Sequence, residues 1–373
     1  MLAVAILGPA VFLILPAFVG ALAETFGFTD AQLGLLASAD LFGMGVAAAT
    51  GLYWLRRWPW QRVVRPALLV VVVGNLAATV PDDFSTLLSI RLVVGCAGGM
   101  IMAVAMAFFA HREDPNRAMA WLLVGQVSFI VIALSTLPPV VEAYGVDSIF
   151  AILALLTSGL LLVVRFIPTG APARDAARIQ SGRPLAAVLV LVSIAMFFVA
   201  QSGLWAFVGL IGEDAGLSVS EVATALALST TISLLGPLYG VTVSERFGCR
   251  PPILVGLACH LVVVVWMSLY SYGFVGFLIL LSLFQLGWNL PLSYQFAVLV
   301  RRDVSRRLVA LVPTFQAMGI AAGPVVLGFA IESSGYSVAP QIAAAFLLAY
   351  AALLVPLAGM KSVTDDPSVK VAT

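Results

Sequence analysis

Apolar residues fill this chain in long runs, separated by short breaks rich in charge, proline or glycine. Twelve runs emerge, at 3–23, 31–55, 66–82, 86–110, 118–141, 148–167, 185–211, 218–243, 251–271, 274–300, 309–331 and 337–358. A helix that crosses a bilayer needs about 20 mostly apolar residues, and the runs have that length. Several breaks carry helix stop or start signals, such as Thr29-Asp30, Pro81-Asp82 and Pro115-Asn116. The pattern predicts an all-α polytopic membrane protein with twelve transmembrane helices. The first run reads as a retained helix and not as a cleaved signal, because no basic residue precedes it and it is too long for a signal's apolar region. The one long polar segment, RFIPTGAPARDAARIQSGRP, divides the chain into six helices in 1–164, a linker at 165–184, six helices in 185–360 and a tail at 361–373.

The two sets of six are copies. AFVGALAETFGFT at Ala17 to Thr29 returns as AFVGLIGEDAGLS at Ala206 to Ser218, with six of thirteen positions identical at an offset of 189. At the same offset Gly51 meets Gly240 and Arg57 meets Arg246. At an offset of 190, Arg117, Gln126, Glu142 and Gly145 meet Arg307, Gln316, Glu332 and Gly335. Matched polar residues at nearly fixed offsets are not explained by apolar composition. Six helices separate the copies, so both have one orientation and the repeat is parallel, about an axis along the membrane normal. Such a repeat places a substrate site between the halves, near the bilayer midplane.

Composition and charge agree with a membrane location and set a direction. The chain is 62% hydrophobic and 10% charged, with a mean hydropathy of +1.09, whereas soluble domains carry roughly 25% charged residues. All but one of the 19 basic residues fall in alternate breaks, in the linker or in the tail; the exception is Arg91, inside a run. The opposite breaks and helix ends hold Glu24, Asp30, Asp82, Asp83, Glu142, Asp147, Glu213, Asp214, Glu221 and Glu332, with no basic residue. The positive-inside rule then puts both termini and the linker in the cytoplasm of a plasma (bacterial inner) membrane. A net charge of +1 gives no sign of a nucleic-acid partner. Cys96, Cys249 and Cys259 lack metal-ligand spacing, and only His111 and His260 are available. No metal, cofactor or disulfide is expected. With no GxSxG motif and no acids paired at helical spacing within the runs, an intramembrane enzyme is not expected. The chain is expected to act as a monomer.

Twelve helices in a parallel six-plus-six repeat with a basic central loop resemble the major facilitator superfamily across essentially the whole chain. Arg91-Leu-Val-Val-Gly95-Cys-Ala-Gly98-Gly99 resembles its RxxxGxxxG pattern on the fourth helix. Glu245-Arg246-Phe247-Gly248-Cys249-Arg250 resembles its loop after the eighth, and Gly51 with Arg56 and Arg57 stands where the loop after the second belongs. There the first half departs, with Arg56 opposite Glu245 and Pro59 opposite Gly248. The resemblance implies a secondary active transporter working by alternating access, with a cavity lined by helices one, four, seven and ten. A non-transporting relative, acting as a sensor or assembly factor, is the alternative.

Candidate chemistry follows from polar residues inside the runs. Gln285, Trp288, Asn289 and Gln295 share a stripe of helix ten, and Phe198, Gln201 and Trp205 share a face of helix seven. Gln126 and Gln316 are the repeat-related pair on helices five and eleven. These residues are the candidate substrate lining, with hydrogen bonding between helices as the alternative for each amide. Aromatic faces and amides suit a small, mostly neutral or monoanionic organic solute. Asp40 and Arg91 are opposite charges at depths of about 14 and 8 Å, at roughly 1.5 Å per residue. A conformational change that parts them would let Asp40 take up a proton and couple transport to protons; a permanent structural pair is the other reading. His260 reads as a structural histidine. Gly51, Arg57, Gly240, Glu245, Arg246 and Arg250 are the candidate cytoplasmic gate.

Overall fold

The computed structural model describes residues 1–55, 57–81, 83–110, 115–164, 184–233, 249–269, 271–302, 308 and 311–359. Among these, fourteen helices form twelve segments. The first segment is broken into α1 (Leu2–Leu7), α2 (Ala10–Leu13) and α3 (Leu15–Phe26). The first half continues with α4 (Asp30–Trp54), α5 (Trp60–Ala77), α6 (Phe84–Ala110), α7 (Pro115–Tyr144) and α8 (Asp147–Val163). The second half holds α9 (Pro184–Asp214), α10 (Val219–Ile232), α11 (Arg250–Leu269), α12 (Phe274–Arg302), α13 (Val312–Ser334) and α14 (Val338–Gly359). Eight of these helices are long and apolar enough to cross a membrane. No strand occurs among the described residues.

The first run was expected as one helix, and proline chemistry explains why it is three. A proline has no N–H for the carbonyl four residues back and its ring crowds that carbonyl. Pro9 and Pro16 therefore each free one carbonyl, those of Ala5 and Phe12, within a single span. Its repeat mate α9 contains no internal proline and runs unbroken from Pro184 to Asp214.

The repeat has a physical content, and it lies in the turns. Gly27 and Gly216 have φ of 60° and 90°, and Gly145 and Gly335 have φ of 75° and 77°. Each follows a helix with a positive φ that other side chains avoid. Their N–H groups return to the helices they end, Gly145 to Val141 and Gly335 to Ile331, both at 2.7 Å. Thr29 and Ser218 then open α4 and α10 with the same capping box, completed by Gln32 and Glu221. The matched residues thus specify the same tight helix-to-helix turns in both halves. These turns and the carboxylates near them mark an acidic end of the bundle; Arg57, Arg62, Arg65, Arg117, Arg250, Arg301 and Arg302 mark the basic end.

Within the first half α6 packs on α4 and α5, and α5 on α8; within the second, α9 packs on α13 and α14, and α11 on α12 and α14. The halves meet along α4 with α13, α7 with α10, and α3 with α9. The first two seams are related by the repeat. The linker expected at 165–184 lies outside the described residues apart from Pro184, and the tail at 361–373 lies wholly outside them.

Candidate functional site

Trp288 on α12 is the hub of an aromatic cluster built by both halves. Its ring centroid lies 6.5 Å from Phe198 and 6.4 Å from Trp205, both on α9, and 5.8 Å from Phe284 on its own helix. These three contacts are edge-to-face, the arrangement that sets a ring's positive edge on its neighbour's negative face. Phe12 of α2 reaches in from the first half, 6.4 Å from Trp288. The Trp205 indole donates to the Phe12 carbonyl at 3.4 Å. That is the carbonyl Pro16 deprives of its helical donor, so the second half satisfies a backbone break in the first. Trp288 is half-buried, leaving part of its ring open.

The amides predicted beside it turn elsewhere. Gln201 is fully buried and its amide nitrogen lies 2.6 Å from His260 Nε2. His260 Nδ1 lies 2.9 Å from the Gly256 carbonyl, which can only accept, so Nδ1 carries the proton and Nε2 accepts from Gln201. Phe197 and Phe284 flank the imidazole edge-on at 5.9 and 5.5 Å. Gln285 donates to Thr230 of α10 at 3.4 Å, and Gln295 to the Tyr350 hydroxyl of α14 at 3.1 Å. Asn289 donates to the Gln285 carbonyl of its own helix at 2.9 Å. Gln126 and Gln316 are half-buried, with no hydrogen-bond partner among the described residues. The expected stripe therefore divides: its aromatic members gather between the halves, while Gln201, Gln285 and Gln295 bond within the second half.

Asp40 and Arg91 do meet. Arg91 Nε and Nη2 donate to the two Asp40 oxygens at 2.8 and 2.6 Å, and Nη1 donates to the Asn75 side-chain oxygen at 2.9 Å. Asn75 in turn donates to the Val71 carbonyl. The rings of Phe18 and Phe150 each lie 5.7 Å from the guanidinium carbon, at cation–π distance. Arg91 is fully buried. Every partner belongs to the first half, one from each of α3, α4, α5 and α8. A cavity of about 20 Å³ beside the pair, bounded by Gly8, Pro9, Asn75 and Thr157, has room for one water.

At the basic end, the gate residues that are described stay within their own halves. Arg57 donates to Tyr53 one turn back on α4 and stacks on its ring. A side chain at Gly359 of α14 would come within 3.3 Å of the Arg250 guanidinium. Gly51 is buried in the last turn of α4, whereas Arg56, Gly240, Glu245 and Arg246 lie outside the described residues. Besides the bond from Trp205 to the Phe12 carbonyl, hydrogen bonds between the halves occur at the acidic end. Glu332 of α13 accepts from the Ala31 N–H at 2.9 Å, capping α4, and the Tyr336 hydroxyl donates to Asp30 at 2.9 Å. Burial, and then the carboxylates led by Asp30, push the Tyr336 phenol upward, so it donates as a neutral group. Gly34 and Gly328 let these two helices touch: a Cβ on Gly34 would lie 2.3 Å from the Pro324 carbonyl oxygen, and one on Gly328 2.5 Å from that of Asp30.

The repeat-related seam is open. Between α3, α7, α9 and α10 lies a cavity of about 800 Å³, with Glu24, Glu142 and Glu213 in its wall and apolar residues such as Leu134, Val222 and Leu226 below. None of the nine residues predicted to line a cavity belongs to it.

The sequence pattern of the Major Facilitator Superfamily matches residues 1–204 and again 190–371. The chain belongs to this superfamily. An uncharacterised MFS-type transporter of Bacillus subtilis (strain 168), YbcL, is 21% identical over 324 residues, covering 84% of this chain and 83% of that one. The crystal structure of the nucleoside transporter NupG, a mutant form, superposes with a TM-score of 0.74 at 13% identity, over 95% of this chain and 97% of that one. The proton:xylose symporter XylE bound to 6-bromo-6-deoxy-D-glucose gives 0.68 at 13%, over 95% and 94%. These likenesses establish the superfamily fold.

Within that fold, sequence reasoning missed Phe12, Asn75, Phe284 and the latch role of Glu332. Two of them had a signal. Phe12 stands four residues before Pro16, which marks its carbonyl as short of a donor, and Glu332 is the repeat mate of Glu142. Asn75 and Phe284 carry no mark that separates them from ordinary helix residues.

Proposed function

We propose that this superfamily member is a secondary active transporter for a small, neutral organic solute with a flat apolar body. Its two six-helix halves alternate access around the Trp288 cluster, with the basic end in the cytoplasm as the positive-inside rule directs. One observation carries the reading: Phe12 from one half and Phe198, Trp205, Phe284 and Trp288 from the other converge where the halves meet. A substrate stacked on Trp288 would touch both halves, and only such a ligand favours one arrangement of them over the other. The monoanion of the sequence expectation is dropped, because three carboxylates and no basic residue line the large opening between the halves.

The Asp40–Arg91 pair takes a structural role in this reading. Its partners all lie in the first half, so rocking one half against the other leaves it intact. The test is a thermal-stability screen of purified protein with neutral aromatic solutes, followed by proteoliposome uptake of any hit with and without a pH gradient. Uptake that is lost in Trp288→Ala and keeps its pH response in Asp40→Asn is expected. Saturable binding with no uptake would favour a sensor, and a pH response lost in Asp40→Asn would make Asp40 the coupling acid.

A further inference from the structure

The cavity at the acidic end has an electrostatic character of its own. Its volume of about 800 Å³ lies within the roughly 300–1,000 Å³ of small-molecule sites. Most of its wall is apolar, and no Lys, Arg or His lines it. Glu24, Glu142 and Glu213 line it, and among the described residues none of the three has a hydrogen bond or a basic partner. Glu213 is half-buried and within electrostatic reach of Glu24. Glu24 and Glu142 are exposed, so water screens part of the repulsion among these like charges, and no counter-charge among the cavity's lining residues offsets the rest.

The backbone of α7 adds an independent source of negative potential. Pro138 and Pro139 lie inside this helix and line the cavity. Neither has an N–H, so the carbonyls of Leu134 and Ser135, four residues back and also in the cavity wall, lose their helical donors. At membrane depth, backbone groups released in this way are tolerated where they line a cavity. Two carbonyl dipoles thus stand about two turns deeper than Glu142 along the same helix.

Comparison with the repeat-related seam shows what is special here. On α13, Glu332 reaches the N-terminus of α4 and is satisfied by Ala31. Its mate Glu142 on α7 faces the N-terminus of α10 across the cavity, with Ser218, Val219 and Ser220 on the far side. The α4–α13 seam is closed at this end by that cap, whereas α7 and α10, which also pack on each other, leave a cavity beside Glu142.

We infer that this cavity is a binding site for an amphiphilic monovalent organic cation, its charge against the carboxylates and the proline-freed carbonyls, its apolar body along α3, α7 and α10. None of the rings of the Trp288 cluster lines it. Whether the superfamily member transports a neutral solute does not enter the argument, so the two readings fail independently.

The experiment uses tetraphenylphosphonium and tetraphenylborate, two ions of the same shape and opposite charge. Binding is measured by equilibrium dialysis on the full chain in phosphatidylcholine nanodiscs, with empty discs subtracted. Saturable binding of tetraphenylphosphonium and none of tetraphenylborate is expected. The triple variant Glu24→Gln, Glu142→Gln, Glu213→Gln should weaken it at least about tenfold. Gly20→Phe is the steric probe: Gly20 lines the cavity and nothing lies within 4 Å of where its Cβ would be. The added ring enters empty space, so this variant should fold normally and also weaken binding about tenfold or more. No saturable binding of the cation, equal binding of both ions, or undiminished binding in Gly20→Phe would overturn the inference. If the triple variant fails to fold, Gly20→Phe and the ion pair of probes decide it.

Discussion

Arg91 makes three hydrogen bonds and lies between two phenylalanine rings, with no exposure to solvent. A guanidinium in that position is tolerable only while Asp40 neutralises it. Removing one partner of a buried pair costs about 3–5 kcal/mol because the other charge is left alone, whereas replacing both with apolar groups of similar size is often nearly neutral. Asp40→Asn should therefore melt well below wild type in detergent, and Asp40→Leu with Arg91→Met should recover much of the loss. A double variant less stable than the single one would mean that the charges contribute more than mutual neutralisation. The second half has a neutral counterpart in Gln201 and His260, also flanked by two phenylalanines. Gly287 makes room for it, since a Cβ there would lie 2.4 Å from His260 Nδ1. Gly287→Ala should cost about 1–3 kcal/mol, the usual range for overpacking, read as a lower melting temperature. An unchanged melting temperature would show that the imidazole shifts freely.

At the scale of the helix, the broken first segment shows where reading a sequence stops. Run length and the basic and acidic breaks place twelve spans, because lipid imposes length and charge directly on local sequence. Asp40 and Arg91 could be paired for the same reason: two opposite charges in an apolar interior have few alternatives. The amides could not be placed, since a helical stripe says which residues share a face and not which neighbour that face meets. Gln201 and Trp205 share a face of α9, yet one bonds His260 inside the second half and the other the Phe12 carbonyl across the interface. The latter bond gives a test of the break. Trp205→Phe takes the indole donor from this half-buried carbonyl and leaves it only the Ile14 N–H, at a cost of about 1 kcal/mol. Pro16→Ala in the same chain restores an N–H at the position that serves Phe12, and should return stability to Trp205→Phe. If the double variant melts no higher than Trp205→Phe alone, the indole bond is not what compensates for the proline.

For the whole molecule, the two repeat-related seams differ, and alternating access requires that at least one of them opens and closes. The α4–α13 seam is closed at the acidic end by Glu332 on the Ala31 N–H, by Tyr336 on Asp30 and by glycines that bring the backbones together. Opening that end must break the Glu332 cap. A hydrogen bond to a charged group contributes about 1.5–3 kcal/mol, and each 1.4 kcal/mol is about tenfold in an equilibrium. Glu332→Ala should then raise the open population by about tenfold or more. Ala31 is buried in the seam, and a cysteine there keeps the backbone N–H that Glu332 caps. In a background without Cys96, Cys249 and Cys259, Ala31→Cys should react with a polar maleimide about tenfold faster once Glu332→Ala is added. Glu142→Ala serves as the control, because the repeat mate faces a cavity and caps nothing, and it should leave the rate as it was. A rate unchanged by Glu332→Ala would mean that this seam stays shut throughout the cycle, and that the halves part at the acidic end only along α7 and α10.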